Sequence, residues 1–159
     1  MKFAVLTISD RCAQGLMTDT AGPAVVALLL QQWPEADIST ALLADEEDAI
    51  VNTLEKLGGG ATALVITVGG TGLGPRDRTP EATRRVIDRE APGLAEAIRA
   101  QGAAHNQFAW LSRGVAGLAG TTLIVNVPGS KRGAEESVTS ILTLLKHAIE
   151  VVAGDKTHP

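Results

Sequence analysis

Apolar residues fall along this chain in short runs separated by amphipathic stretches of helical length. Phe3 to Ser9 form a first apolar, partly β-branched strand, and after the loop Asp10–Thr20 the stretch Ala21 to Trp33 carries a helical apolar face that stops at Pro34. Ile38 to Leu43 reads as a second strand. Asp45, with Asp48 three residues on, opens a helix that runs to Leu57 and is closed by Gly58-Gly59-Gly60. Leu64 to Val68 is a third strand, and helices follow at about Thr79–Arg89 and Gly93–Gln101, the latter ended by Gly102. From Arg113 the pattern changes. Val115 to Leu118 and Thr121 to Val127, joined at Ala119-Gly120, read as two strands around a tight turn, and Ala134 to Val152 as a final helix.

This alternation predicts an α/β fold, a three-layer α/β/α sandwich with a mostly parallel sheet containing one antiparallel strand. The 159 residues suit one domain, residues 1–153, with 154–159 a flexible tail. Hydrophobic residues make up 45% of the chain, yet there is no tyrosine and only two Trp and two Phe, so Ala, Val, Leu and Ile must fill the interior. No apolar run approaches the roughly 20 residues that span a bilayer, and Met1-Lys2-Phe3 leads into a strand rather than a signal peptide. A cytoplasmic protein with no membrane partner is expected. The single cysteine, Cys12, reads as a structural or incidental thiol, and His105, His147 and His158 are too scattered for a metal cluster.

A net charge of −4 argues against nucleic acid as a partner. The distribution of charge says more. Between Cys12 and Pro75 the only basic residue is Lys56, whereas Arg76, Arg78, Arg84, Arg85 and Arg89 crowd behind a glycine-dense loop, and Lys131 and Arg132 follow a Pro-Gly turn.

That loop, Thr67 to Glu81, passes from the third strand through Gly69-Gly70-Thr71-Gly72-Leu73-Gly74 into Thr79-Pro80-Glu81, a helix start with a first-turn proline and acid. Glycines let backbone N–H groups approach a ligand, and a helix N-terminus favours an anion, so phosphate is the expected guest. A P-loop is excluded, because Pro75 and Arg76 stand where Lys and Ser/Thr are needed, and no dinucleotide G-x-G-x-x-G can be read through the loop. If the backbone lies against phosphate, a Cβ at Gly70 or Gly72 is expected to block the ligand and spare the fold.

Gly-Gly-Thr-Gly, Pro-Arg-Asp and Thr-Pro-Glu-Ala-Thr at 69–83 together resemble the molybdenum cofactor biosynthesis domain of molybdopterin adenylyltransferases, which includes the G domain of gephyrin. Thr7-Ile8-Ser9-Asp10-Arg11, Leu111-Ser112-Arg113 and Thr122 to Ser130 match in the same order, so the resemblance covers nearly the whole chain. Ala44, Gly74 and Lys131-Arg132 depart from residues common among relatives.

The resemblance implies transfer of the adenylyl group of ATP, the cosubstrate, to the terminal phosphate of molybdopterin, with release of pyrophosphate. It also implies a homotrimer, with hand-over to a molybdenum insertase. Asp45 and Asp77 are the implied catalytic acids, read as positioning groups for Mg²⁺ and ATP because a phosphate nucleophile, largely ionised at neutral pH, needs no general base. Ser9, Asp10, Gly69, Gly70, Thr71, Gly72, Arg76, Thr79, Pro128, Gly129, Ser130 and Lys131 are the candidate substrate contacts. Plainer uses stand beside these: Asp45, Thr79 and Ser130 as helix caps, and Asp77 as a turn residue pairing with Arg76 or Arg78. Two other functions stand beside adenylyl transfer: a non-catalytic molybdopterin carrier, which the same loops would serve without turnover, and a flavodoxin-like flavin module, which the scarcity of aromatics disfavours.

Overall fold

The computed structural model describes residues 1–154, so the tail expected from Gly154 onward lies almost wholly outside the described residues. Six strands form one sheet in the order β2-β1-β3-β6-β5-β4. They are β1 (Lys2–Ile8), β2 (Asp37–Leu43), β3 (Thr62–Val68), β4 (Arg89–Glu90), β5 (Ala116–Ala119) and β6 (Thr122–Val127). The neighbours from β2 through β6 in that order pair in parallel, and β5 alone runs against the rest, pairing antiparallel with both β6 and β4. This is the expected α/β/α sandwich.

Helices cover both faces. On one side α2 (Ala21–Gln32), α5 (Pro92–His105) and α6 (Lys131–Val152) close over a core that includes Phe3, Val25, Leu29, Ile66, Val125 and Ile141. Trp33 caps it, edge-on to Phe3 with ring centroids 5.1 Å apart. On the other side α3 (Glu47–Leu57) and α4 (Thr79–Val86) cover Ala4, Leu6, Val65 and Ile124. Both faces of the inner strands are therefore buried, as their continuous apolar runs require.

The structure differs from the sequence expectation at four places. α4 ends at Val86, three residues early, because Asp88 N–H donates to Leu118 O and its carboxylate accepts from Gly120 N–H, drawing the chain into the short edge strand β4. α5 does not stop at Gly102 but runs on to His105; a Cβ there would meet Ala109 at 2.9 Å, so that glycine makes room for the 3-10 helix Gln107–Leu111. The loop after β1 contains a short helix, α1 (Asp10–Ala13), with Ser9 as its N-cap. α6 begins three residues early, at Lys131, which puts the basic pair in its first turn.

Strand ends come level where the loops matter. Ile8 pairs with Leu43, Thr7 with Val68, and Val68 with Val127. The chain leaves β1 towards β2 on one side and returns as β3 on the other, so the crevice between β1 and β3 is the topological switch point, where open α/β sheets bind ligands.

Candidate functional site

Four loops meet at that edge, after β1, β2, β3 and β6, and enclose a cavity of about 540 Å³. From the first three it is lined by Ser9, Asp10, Asp45, Gly69, Gly70 and Asp77, and from the fourth by Gly129, Ser130 and Lys131. Thr71, Gly72 and Pro128 line a second cavity of about 530 Å³, to which Ser130 also contributes. Arg76 and Thr79 line neither.

Two loops 35 residues apart are stitched together by their acids. Asp10 N–H donates to Asp45 Oδ2 at 2.8 Å and Asp45 N–H donates to Asp10 Oδ1 at 3.0 Å. Asp45 therefore does not open the helix as expected; Glu46 is the N-cap residue of α3, and the Asp45 carboxylate is turned across to the β1 loop. Arg76 grips Asp10 with Nε and Nη2, each at 3.0 Å, and reaches Glu46 at 2.7 Å. It acts as a brace beneath the acids.

These contacts separate the two carboxyls electrostatically. The hydrogen bond from Arg76, helped by the Asp45 N–H, holds Asp10 below the usual carboxylate range. Burial pushes Asp45 up, and the neighbouring charges of Asp10 and Asp77 add to the rise against the Asp10 N–H. Asp77 is a turn residue as well as a cavity residue: its Oδ2 accepts from Gly74 N–H at 2.8 Å. The plainer alternative paired it with Arg76 or Arg78, but Arg76 spends its guanidinium on Asp10 and Glu46.

The glycine loop is tightly built. Gly69 (φ +106°) lies so close to Ile8 O that a Cβ would collide with it, and Gly70 (φ +64°) sits where a Cβ would strike Thr79 Oγ1. Both positions need glycine for the fold itself, which corrects, for Gly70, the expectation that a Cβ would spare the fold. Thr79 is not the N-cap expected; Arg78 is, and the buried Thr79 uses its hydroxyl on Gly69 O at 2.9 Å and its N–H on Gly70 O at 3.1 Å. The N-termini of α1 and α2 line the first cavity through Ser9 and Asp10 and through Thr20 and Ala21, and the helix N-terminus that lines both cavities is that of α6. Ser130 caps it, accepting from Gly133 N–H, and Lys131 beside it brings positive charge to the cavity that the three acids also line.

Three residues outside the expected set shape this edge. Asp19 accepts from Ala21 and Gly22 N–H and from the Thr7 hydroxyl at 2.7 Å, fixing the start of α2 against β1; the Asp19-Thr20 pair ahead of an apolar run was its capping signal. Asn126, 2% exposed, donates to the hydroxyls of Thr67 and Thr83 at 2.8 and 2.9 Å and ties β6, β3 and α4 together. Arg113, in the Leu-Ser-Arg segment, donates to the carbonyls of Gly72 and Asp77, each at 2.6 Å, and to Glu81. The second cavity adds Ser112, from the Leu-Ser-Arg segment, and His105, Phe108 and Glu136, which no motif singled out.

Comparison with known proteins agrees with this geometry. Residues 4–147 match the family described as a probable molybdopterin binding domain. The chain is 40% identical over 98% of its length to the molybdenum cofactor synthesis protein cinnamon of Drosophila melanogaster, of which it spans only 27%. It spans 47% of the molybdenum cofactor biosynthesis bifunctional protein of Synechococcus elongatus, at 34% identity over 94% of this chain. Against the molybdopterin adenylyltransferase of Helicobacter pylori strain J99 it is 32% identical over 96% of this chain and 88% of that one. The solved structure of the molybdopterin biosynthesis enzyme MoaB from Thermus thermophilus superposes with a TM-score of 0.89, at 43% identity over 96% of both chains.

Proposed function

This chain belongs to the family of probable molybdopterin binding domains, and from that premise we propose that it is a molybdopterin adenylyltransferase of molybdenum cofactor biosynthesis. The observation that carries the proposal is the cavity at the β1/β3 switch point, where Asp10, Asp45 and Asp77 face Ser130 and Lys131 at the α6 N-terminus. In this reading the terminal phosphate oxygen of molybdopterin attacks the α-phosphorus of ATP, the P–O bond to the β-phosphate breaks, and pyrophosphate leaves. The nucleophile is already ionised, so no residue has to take its proton. The protein's task is to bring two anions together.

Lys131 and the α6 N-terminus supply fixed positive potential for that encounter. Asp45 and Asp77 suit Mg²⁺, which is bound through one or two carboxylates together with substrate phosphates rather than by a full protein cage. Asp45 is raised first by burial and then by the negative charges of Asp10 and Asp77, and a cation would relieve the second of these. When bound, Mg²⁺ would neutralise charge on the ATP phosphates. The two adjoining cavities, sharing Ser130, offer separate seats for the nucleotide and the pterin.

ATP as cosubstrate, a homotrimeric assembly, hand-over to a molybdenum insertase and a cytoplasmic location belong to the same proposal. The free, buried Cys12 suits a reducing compartment, and among the described residues no helix is long and apolar enough to cross a membrane. The test is pyrophosphate release from ATP on addition of molybdopterin. Molybdopterin binding without pyrophosphate release would make the chain a carrier instead.

A further inference from the structure

We propose that Arg113 is a positioning residue for adenylyl transfer, holding the glycine loop and Asp77 as one rigid wall between the two cavities; the proposal rests on the function just given. Arg113 belongs to neither cavity. It lines a third, smaller cavity with Arg84 and Arg99 and spans the loop: its N–H donates to Thr71 O at 2.9 Å, Nε to Gly72 O and Nη2 to Asp77 O, while Nη1 pairs with Glu81 on α4. Thr71 and Gly72 are wall residues of one cavity and Asp77 of the other. One guanidinium thus fixes the main chain at Gly72 and Asp77, on either side of a turn held within by the hydrogen bonds between Gly74 and Asp77.

Only arginine can do this. Its planar fork presents several donors in fixed directions, whereas a lysine ammonium at the end of a flexible stem cannot satisfy three acceptors so disposed. Glu81 balances its charge through Oε1, while Glu81 Oε2 is buried without a hydrogen-bond partner among the described residues. Asp77 in turn is tied by its side chain to Gly74 N–H. If the Asp77 carbonyl is released, the carboxylate moves with it, and the acid facing the reacting phosphates loses its place while the cavity residues on the β1 and β6 loops keep theirs.

The test compares Arg113→Ala and Arg113→Lys with the wild type, measuring pyrophosphate release with ATP, Mg²⁺ and molybdopterin, and amide hydrogen exchange in residues 69–79. Both variants should lose about 10- to 100-fold in kcat, with KM for ATP changed far less, and exchange should quicken in 69–79 but not in β1 or β6. Added guanidinium ion should restore part of the kcat of Arg113→Ala, which a loss of folded protein would not allow. If Arg113→Ala does not fold, Arg113→Lys carries the comparison. A folded variant with kcat within twofold of wild type overturns the proposal, as does a loss in Arg113→Ala that guanidinium leaves unchanged. If the wild type itself releases no pyrophosphate, the adenylyltransferase reading fails, and exchange then decides alone: unchanged protection of 69–79 overturns the role of Arg113.

Discussion

Gly70→Ala should destabilise the protein chiefly through Thr79, with Asp45 Oδ1 a second close neighbour of the added Cβ at 3.0 Å. At φ +64° a non-glycine residue costs about 1–2 kcal/mol in this left-handed conformation. The new methyl would also displace Thr79 Oγ1, breaking its buried hydrogen bond to Gly69 O, at a further cost of about 1–3 kcal/mol. The sum, roughly 2–5 kcal/mol, corresponds to a Tm lowered by about 4–20 °C for a chain of this size. Thr79→Ala alone should cost about 1–3 kcal/mol for the lost hydrogen bond. Because it also removes the atom that the Gly70→Ala methyl strikes, the double variant should be less destabilised than the two single effects together, by about 1–3 kcal/mol. Urea unfolding of the four proteins measures this coupling. Additivity within about 0.5 kcal/mol, or a Gly70→Ala cost below about 1 kcal/mol, would refute the steric argument.

Asp45→Asn should raise thermal stability at neutral pH while reducing adenylylation. Because burial first, then Asp10 and Asp77, lift the folded-state pKa of Asp45 above its unfolded value, the stabilisation from its protonated form is complete below the unfolded pKa and disappears as pH rises through the folded one. The advantage of Asn should therefore be largest near pH 7 and shrink on acidification, which melts at a series of pH values will check. Asp77→Asn should lower kcat by on the order of 100-fold, and wild-type turnover at saturating Mg²⁺ would remove its catalytic role. Asn126→Ala should cost about 2–4 kcal/mol in chemical unfolding, since it strands two buried threonine hydroxyls and the Val115 N–H. Sedimentation equilibrium should give a particle of about 49 kDa, three times the 16.4 kDa chain; a species of chain mass alone would rule out the trimer.

The layers of the fold were legible because inner strands such as Leu64–Val68 are apolar on both faces and stop at glycine or proline. β4 was not, since Arg89 and Glu90 look like the end of a charged helix and are a strand only because Leu118 and Gly117, nearly 30 residues on, supply their partners. The site divides in the same way. Motif residues at strand ends, such as Asp10, Asp45 and Gly69, were found where expected because chain order alone brings those ends to one edge. What each side chain bonds to was hidden: Thr79 and Asp45 both looked like caps, and only the folded chain shows their partners across loops. Arg113 matched a motif, but its role depends on carbonyl oxygens, and backbone carries no residue identity to read.

Because β3 pairs with β6, the site must be finished late in the life of a growing chain. On the ribosome Thr79 emerges 47 residues before Asn126, an interval of roughly 2–10 s at ordinary rates of synthesis. During that time β1, β2 and β3 can already associate, yet the glycine loop lacks Arg113 for the first 34 of those residues, α4 lacks its tether through Thr83, and the far edge of β3 stands open with Leu64 and Ile66 on it. A nascent chain of this length offers a sticky, unfinished sheet and no usable binding edge. Chaperone demand should therefore peak before β6 leaves the exit tunnel, and premature termination there should yield aggregates rather than a weakened enzyme.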